Sequence, residues 1–474
     1  MSGVSRNIAM GVGGFVLLLA TVIALLLGAG GAQAVAQGSS ADTKGAFQGV
    51  ASCGGTTCHG RSVANTPDMG VVRQDEILIW QDPASAAGAH SRAYAVLQEP
   101  RSKQIAKNLG IGEATSAPEC LSCHATPADS GRRGARFLRS DGVSCEACHG
   151  AAGGWLEAHY SRGASHERNV SLGLVPLERP EVRASVCLDC HFGSSRDNQF
   201  VTHRLMAAGH PRISFELDLF STLQAHHNED DDYVRPAGQN GRGKLKATNV
   251  QMWAVGQAMA LERSLTLFSS ARGFDGIFPE FYFLDCHSCH RRIFDQRDFD
   301  PTVVNNPSRP LPSGMPPYND ENMIMLSAAA RVLSPERARA FDQRSKEFHA
   351  AMSGNPGQVR GAAERLKSEA AALARLFADT GISDAQVFRI IDTITSQAVS
   401  PRFTDYAGSV QAVMATDTLL SALVASGSVA GNSVQGIRGD INGAYQAVRD
   451  PNAYQPEQFR QRLGRAAAAI RRLR

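Results

Sequence analysis

The ten cysteines of this 474-residue sequence fall into five close pairs, and a histidine directly follows the second cysteine of every pair. Numbered in chain order, motifs 1 to 5 are Cys53, Cys58 and His59; Cys120, Cys123 and His124; Cys145, Cys148 and His149; Cys187, Cys190 and His191; and Cys286, Cys289 and His290. Two thiols this close can add to the two vinyl groups on one edge of a porphyrin, and the adjacent imidazole can then bind the iron. C-x-x-C-H is the attachment signature of haem c. The sequence therefore predicts five covalently bound haem c groups, with the cysteines as anchors and the motif histidines as iron ligands.

Motif 1 differs from the other four because four residues, not two, separate its cysteines. Gly54 and Gly55 lie in this longer loop, and glycine tolerates the backbone angles that an outward bulge requires. Two other uses of the thiols compete with haem. Disulfides between cysteines two residues apart are strained and do not require a following histidine, and zinc sites combine two pairs into a tetrahedral set, which an odd number of pairs fits poorly.

Nine histidines lie outside the motif positions and could supply second iron ligands. They are His90, His159, His166, His203, His210, His226, His227, His287 and His349. A second imidazole gives a closed, low-spin haem suited to electron transfer, whereas an open sixth position permits chemistry on a small molecule. Nine candidates for five irons allow a fully bis-histidine protein without requiring one.

Several of these motifs resemble the multihaem cytochrome c group, which includes the tetrahaem carrier that accepts electrons from hydroxylamine oxidoreductase. The resemblance covers about residues 45–295 and is carried by motif 1, Trp80, the segment His90-Ser-Arg-Ala93, the segment Asp141 to His149 and the later His159. It implies that His90 and His159 are second ligands of haems other than the nearest in sequence. The segment His203 to Leu217 also resembles such cytochromes and implies His210 and His203 as ligands. The fifth motif, the longer motif 1 and the long tail depart from the tetrahaem pattern.

The remaining candidates are weaker. His226 and His227 adjoin the acidic run Glu229 to Asp232, which is typical of a solvated loop, and nothing in the sequence distinguishes His166 or His349. His287 lies inside motif 5, so its ring could face a neighbouring haem. Met206 is an alternative ligand, and its thioether would raise the potential of its haem.

The N-terminal residues predict an exported protein. A short head with Arg6 precedes the apolar stretch Ile8 to Leu27, which runs into small residues ending Ala32-Gln-Ala34. This pattern is typical of a secretory signal peptide over residues 1–34. An uncleaved membrane anchor is the alternative, because about 20 apolar residues can span a bilayer. We expect a periplasmic or otherwise exported chain, anchored to the membrane if the segment is kept.

The predicted fold is mainly α. Residues 45–300 are expected to form a haem-packed multihaem cytochrome c domain of short helices and loops, residues 301–317 a proline-rich linker, and residues 318–474 a helical, bundle-like C-terminal domain. A helix is predicted over Gln251 to Phe268. Two helix starts are predicted, one at Ser334-Pro335 and one at Ser383 with Gln386. Apolar residues repeat at helical spacing between residues 366 and 394.

Composition and charge narrow the function further. A formal net charge of +3 is too small for a nucleic-acid binder.

The leading hypothesis is a pentahaem relay that passes single electrons between redox partner proteins. The alternative is a reductase or oxidase of a nitrogen or sulfur oxyanion or of hydroxylamine, with one five-coordinate haem. A subunit that docks another complex through its helical tail is compatible with the relay. The arginine-rich helix from Pro456 to Arg474 is either a solvated face or a contact for a membrane surface or an acidic partner.

Overall fold

The chain is built from α-helices joined by turns and short 3-10 helices. A computed structural model describes residues 45–66, 72–227, 247–273, 279–290, 310, 316–400 and 406–474. The predicted signal segment, the acidic run after His227 and most of the proline-rich linker lie outside the described residues. The α-helices of the described residues are α1 Glu76–Gln81, α2 Pro100–Leu109, α3 Pro118–His124, α4 Cys145–His149, α5 His166–Ser171, α6 Pro180–His191, α7 His203–Ala207, α8 Leu217–Leu223, α9 Asn249–Ser269, α10 Glu321–Leu333, α11 Pro335–Ala351, α12 Pro356–Asp379, α13 Asp384–Ala398, α14 Tyr406–Ala425, α15 Gln435–Ala447 and α16 Pro456–Arg471.

The predicted mainly α fold is confirmed. Extended pairing within the described residues is limited to isolated bridges, such as Phe47 with Arg133 and Leu284 with Tyr318. Helices before residue 224 are short, with five to twelve residues each, whereas those from Asn249 onward have 13 to 24. Motifs 1 to 4 lie in the part with short helices, and motif 5 lies between α9 and α10.

Helix α9 forms the centre of the apolar core. It begins with a capping box between Thr248 and Gln251, and almost every face of it is buried, including Trp253, Leu265 and Phe268. One side packs against α6 and α8, and the other sides pack against α10, α12 and α14. A helix that is apolar all round belongs inside a fold. Through α9, a single apolar cluster joins the helix that carries motif 4 to the C-terminal helices.

The C-terminal helices follow the predicted pattern closely. The capping box of Ser383 and Gln386 is present at the start of α13, and Pro335 is the first residue of α11. The apolar positions predicted to face a core are all buried: Leu366, Ala370, Leu373, Phe377, Val387, Ile390, Ile391 and Ile394. All described residues belong to one compact unit. The domain boundary at 301–317 stays a prediction, and the apolar cluster includes residues on both sides of it.

Among the described residues, α14 is the one helix long and apolar enough to cross a membrane, and most of it is buried within the fold, as a core helix is. The arginine-rich helix α16 makes several ion pairs inside the chain. Arg462 and Arg465 bind Asp440, and Arg471 binds Asp392. These ion pairs involve three of the arginines that the sequence offers for contact with a membrane surface or an acidic partner.

Candidate functional site

The local backbone brings the parts of each motif together. Motifs 2 and 4 form the last turns of α3 and α6, and motif 3 is the whole of α4. On a helix, residues three and four apart lie on the same face, so both thiols and the imidazole of a C-x-x-C-H motif are neighbours. Motif 5 forms a 3-10 turn in which the amide of His290 donates to the carbonyl of Cys286 at 2.8 Å. None of the ten thiols forms a disulfide.

The two ends of motif 1 also lie side by side, although this motif has two extra residues. The amide of His59 donates to the carbonyl of Cys53 at 3.2 Å, which is the same link that joins the ends of motif 5. The loop between them folds tightly, because a Cβ added at Gly60 would lie 2.3 Å from the carbonyl oxygen of Gly54. The extra residues therefore bulge outward, and His59 remains beside Cys53.

Buried polar contacts fix the motifs within the fold. The carboxylate of Glu146, inside motif 3, accepts the amides of Gln48, Gly49 and Ala152 at 2.7–2.8 Å and so holds the N-terminal segment against α4. The guanidinium of Arg263 on α9 binds Asp189 inside motif 4 at 2.6 Å. Each carboxylate lies between the two cysteines of its motif. The segments that carry the thiols are thus positioned by contacts distant in sequence.

The ring of every motif histidine faces the ring of a histidine from elsewhere in the chain. The ring-centroid distances are 6.3 Å for His59 and His159, 6.3 Å for His124 and His210, 6.0 Å for His191 and His90, 6.1 Å for His290 and His203, and, for His149, 6.4 Å to His226 and 5.8 Å to His227. The four second ligands expected from the sequence, His90, His159, His203 and His210, each lie opposite one motif histidine.

These distances fit an iron between each pair of rings. A first-row metal binds imidazole nitrogen at about 2.0 Å, and that nitrogen lies about 1.2 Å from the ring centre, so two rings on opposite sides of one metal have centroids about 6.3 Å apart. Rings in direct contact lie closer, as in the tilted pair His226 and His227, whose centroids are 4.1 Å apart. The histidine pairs therefore match the spacing of bis-histidine haem ligation.

Hydrogen bonds to Nδ1 orient several of these rings. Nδ1 of His124 donates to the carbonyl of Ala93, that of His90 to Oε1 of Gln224, and that of His210 to the carbonyl of Pro211, each at 2.8 Å. A ligating histidine characteristically donates its other ring N–H to such an acceptor, which fixes the tautomer and leaves Nε2 for the metal.

Burial keeps most of these rings in the neutral form that binds iron. Desolvation lowers the pKa of His90, His124, His149 and His210, and it lowers the pKa of His191 to about 4. The pKa of His59 is raised instead, because its imidazole is hydrogen-bonded to Glu76. An uncharged imidazole is the state required of a metal ligand.

His226 and His227 were weaker candidates because the acidic run beside them is typical of a solvated loop, whereas the structure places both rings opposite His149. Their potential ligand atoms and those of His149 all lie within 4.8 Å of one another. A signal was present in the sequence: five motif histidines had only four well-supported partners. The adjacent acidic run favoured a solvated loop over an iron ligand at these positions.

The contacts that the structure shows for three other weak candidates, His166, His349 and Met206, are of different kinds. His166 bonds to Glu178 at 2.7 Å through Nε2, the nitrogen a ligand would need. His349 is buried in α11, where Nδ1 bonds to the carbonyl of Ser345. Met206 packs against the apolar core. The side chain of His287 lies outside the described part of the chain.

Contacts between motifs give their order in space. The amide of Gly49, just before motif 1, donates to Glu146 inside motif 3. Helix α6, which ends with motif 4, contacts both α4 with motif 3 and α3 with motif 2. Sγ of Cys190 lies 3.9 Å from the carbonyl oxygen of Ser122 inside motif 2. Motif 1 therefore adjoins motif 3, motif 3 adjoins motif 4, and motif 4 adjoins motif 2.

Motif 5 connects to motif 2 through one short segment. This segment begins with His203, which faces His290 of motif 5, and ends with His210, which faces His124 of motif 2. The spatial order of the motifs is therefore 1, 3, 4, 2, 5. Cys58 and Cys289, in the two terminal motifs, are the exposed cysteines, and the other eight are partly buried.

A family model described as cytochrome c554 and c-prime matches residues 78–150, which contain motifs 2 and 3. The match supports a c-type cytochrome family and implies covalently bound haem c. It does not extend to a specific relationship with the tetrahaem carrier. Neither the curated proteins nor the solved structures contain a match to this chain.

Proposed function

We propose that this chain is an exported c-type cytochrome that holds five haem c groups, haems 1 to 5 on the motifs of the same number, and relays single electrons between redox partner proteins. The observation that carries the proposal is the set of histidine pairs, in which each motif histidine faces a second histidine at a ring-centroid distance of 5.8–6.4 Å. When bound, a bis-histidine haem takes up and releases one electron without offering an open position to substrate.

The spatial order of the motifs supports a relay with two ends. Contacts connect motif 1 to motif 3 and motif 4 to motifs 3 and 2, and the segment from His203 to His210 extends the series to motif 5. The terminal motifs carry the exposed cysteines Cys58 and Cys289. We infer that partners dock at these two ends, while the interior motifs transfer electrons within the protein.

The same pairing argues against the enzyme hypothesis. A catalytic haem requires an open sixth position, and in the described residues every motif histidine has a second ring opposite it. The relay is therefore the better-supported function. Its export follows from the predicted N-terminal segment, which remains either a cleaved signal peptide or an anchor.

Intact mass and spin state test this proposal on the full chain produced with haem attachment. We expect a mass that exceeds the polypeptide by five haems and an electron paramagnetic resonance spectrum of the oxidised protein with low-spin haems alone. Fewer than five haems, or a high-spin haem that binds nitric oxide, would contradict it. Sequencing the mature N-terminus tests export: a start at residue 35 shows cleavage, and retention of residues 1–34 in a detergent-extracted protein shows an anchor.

A further inference from the structure

Glu76, the first residue of α1, lies between ligand candidates of two different haems. Its Oε2 is 3.0 Å from Nδ1 of His59, its Oε1 is 3.6 Å from Nδ1 of His227, and Oε1 also accepts the amide of Gln74 at 3.1 Å. Its exposed fraction is 5%. Both oxygens of this buried side chain thus face N–H groups and act as acceptors, which is the role of an ionised carboxylate.

Neutral acceptors occupy the corresponding position at the pairs of motifs 2 and 4. Nδ1 bonds to the Ala93 carbonyl at His124, to the Pro211 carbonyl at His210 and to the Gln224 amide oxygen at His90. The second ring of pair 1, His159, also has a neutral acceptor, the Leu156 carbonyl, so the carboxylate acts on this pair through His59 alone. A carboxylate differs from these because it draws the Nδ1 proton toward itself and makes the ring a stronger electron donor to the metal. Its charge also acts through a medium of low dielectric constant.

Both effects favour the ferric over the ferrous state, because the ferric haem carries one more positive charge. Reduction potentials of haems respond to hydrogen bonding and burial at their axial ligands in this sense. The effect is strongest at His59, whose contact with the carboxylate is the shorter of the two.

We propose that the Glu76 carboxylate gives haem 1 the lowest reduction potential of the five, so that motif 1 is the end of the relay that receives electrons. This inference rests on the proposed function. It assigns a direction to the relay: electrons enter near the exposed Cys58 and leave near the exposed Cys289.

The angle between the planes of its two rings distinguishes haem 1 from the other haems by spectroscopy. The planes of His59 and His159 are 15° apart, whereas they are 73° apart at His90 and His191, 86° at His124 and His210, and 41° at His203 and His290. Both candidate partners of His149 also lie nearly perpendicular to it, at 86° and 87°. Parallel imidazoles split the two iron d orbitals that accept their π electrons, which gives a rhombic low-spin signal. Crossed rings leave these orbitals nearly degenerate, which gives a strongly anisotropic signal.

A redox titration of the wild-type protein followed by electron paramagnetic resonance tests the inference without any substitution. We expect the most rhombic signal, which belongs to the pair with the smallest angle between its ring planes, to disappear last as the potential is lowered. Its disappearance before the signals of the other haems would overturn the proposal, because haem 1 would then be among the higher-potential haems.

The variant Glu76→Gln keeps an oxygen acceptor for His59 and removes the charge. We expect the midpoint of the rhombic signal to shift to higher potential while haem content stays at five. Glu178→Gln is the matched control, since it changes a carboxylate bonded to His166, which faces no motif histidine. An unchanged midpoint in Glu76→Gln, or an equal shift in the control, would refute the role of Glu76. A wild-type protein with fewer than five haems or with a high-spin haem would instead refute the proposed function.

Discussion

The guanidinium of Arg263 binds the carboxylate of Asp189 at 2.6 Å, and this contact joins the central helix α9 to the loop residues of motif 4. Both side chains are largely buried, with exposed fractions of 10% and 14%. The same guanidinium also donates to the carbonyls of Gly193 and Ser185. One arginine thus binds a carbonyl within α6, a carbonyl just after it and the acidic residue between the two cysteines of motif 4.

Replacing Arg263 with alanine is expected to destabilise the haem-loaded protein by about 3–5 kcal/mol, because a buried carboxylate at Asp189 would lose its partner. Denaturant unfolding followed by circular dichroism measures this change. The control is Arg331→Ala, whose ion pair with Asp342 is at the surface, with 44% and 29% of the side chains exposed. Surface pairs contribute about 0–1 kcal/mol. Equal losses in the two variants would contradict the role assigned to Arg263.

Replacing His90 with alanine should convert one haem from low spin to high spin and open it to carbon monoxide after reduction. The reason is that His90 is the ring opposite His191, and alanine offers no ligand. Absorption and paramagnetic resonance spectra report the change. His166→Ala, which removes a histidine bonded to Glu178, should leave all haems low spin. A low-spin spectrum in His90→Ala would exclude His90 as a ligand.

His226 and His227 both lie opposite His149, so each can serve when the other is absent. We expect the single variants His226→Ala and His227→Ala to retain five low-spin haems. The double variant should have one high-spin haem. A high-spin haem in one single variant would identify the other histidine as unable to replace it, and a fully low-spin double variant would remove both from the ligand set.

The tight loop of motif 1 predicts a specific sensitivity at Gly60. A Cβ at this position would lie 2.3 Å from the backbone oxygen of Gly54, so Gly60→Ala should displace the loop and lower haem attachment at Cys53 and Cys58. Intact mass should show a population with four haems. Gly131→Ala is the control, since a Cβ there meets nothing within 4 Å. Full attachment in Gly60→Ala would show that the bulge tolerates the displacement.

The cysteine spacing predicted the motifs because attachment chemistry is local: the thiols and the imidazole of one motif lie within a few residues. Helix starts such as Ser383 with Gln386 were predictable for the same reason. The mainly α fold followed from helical periodicity between residues 366 and 394.

The pairing of rings could not be read from the sequence, because it depends on contacts between distant segments. His90 faces His191 on α6, and its Nδ1 donates to Gln224 just after α8, so this pair depends on three segments that are distant in sequence. His227 lies opposite His149, although the acidic residues that follow it in the sequence are typical of a solvated loop. The part played by Glu76 was also hidden, since a single glutamate in a short helix has no sequence signature until His59 is placed beside it.

The position of α9 affects the order in which parts of the protein can fold. Motifs 1 to 4 precede this helix in the chain. Helices α12 and α14, which cover its other sides, are made after it. Until they are made, the apolar core beside α6 is incomplete, and the segments that carry the cysteines have not reached their final packing. Haem attachment therefore has an interval in which the thiols are still accessible, and the redox-silent C-terminal helices end that interval by closing the core.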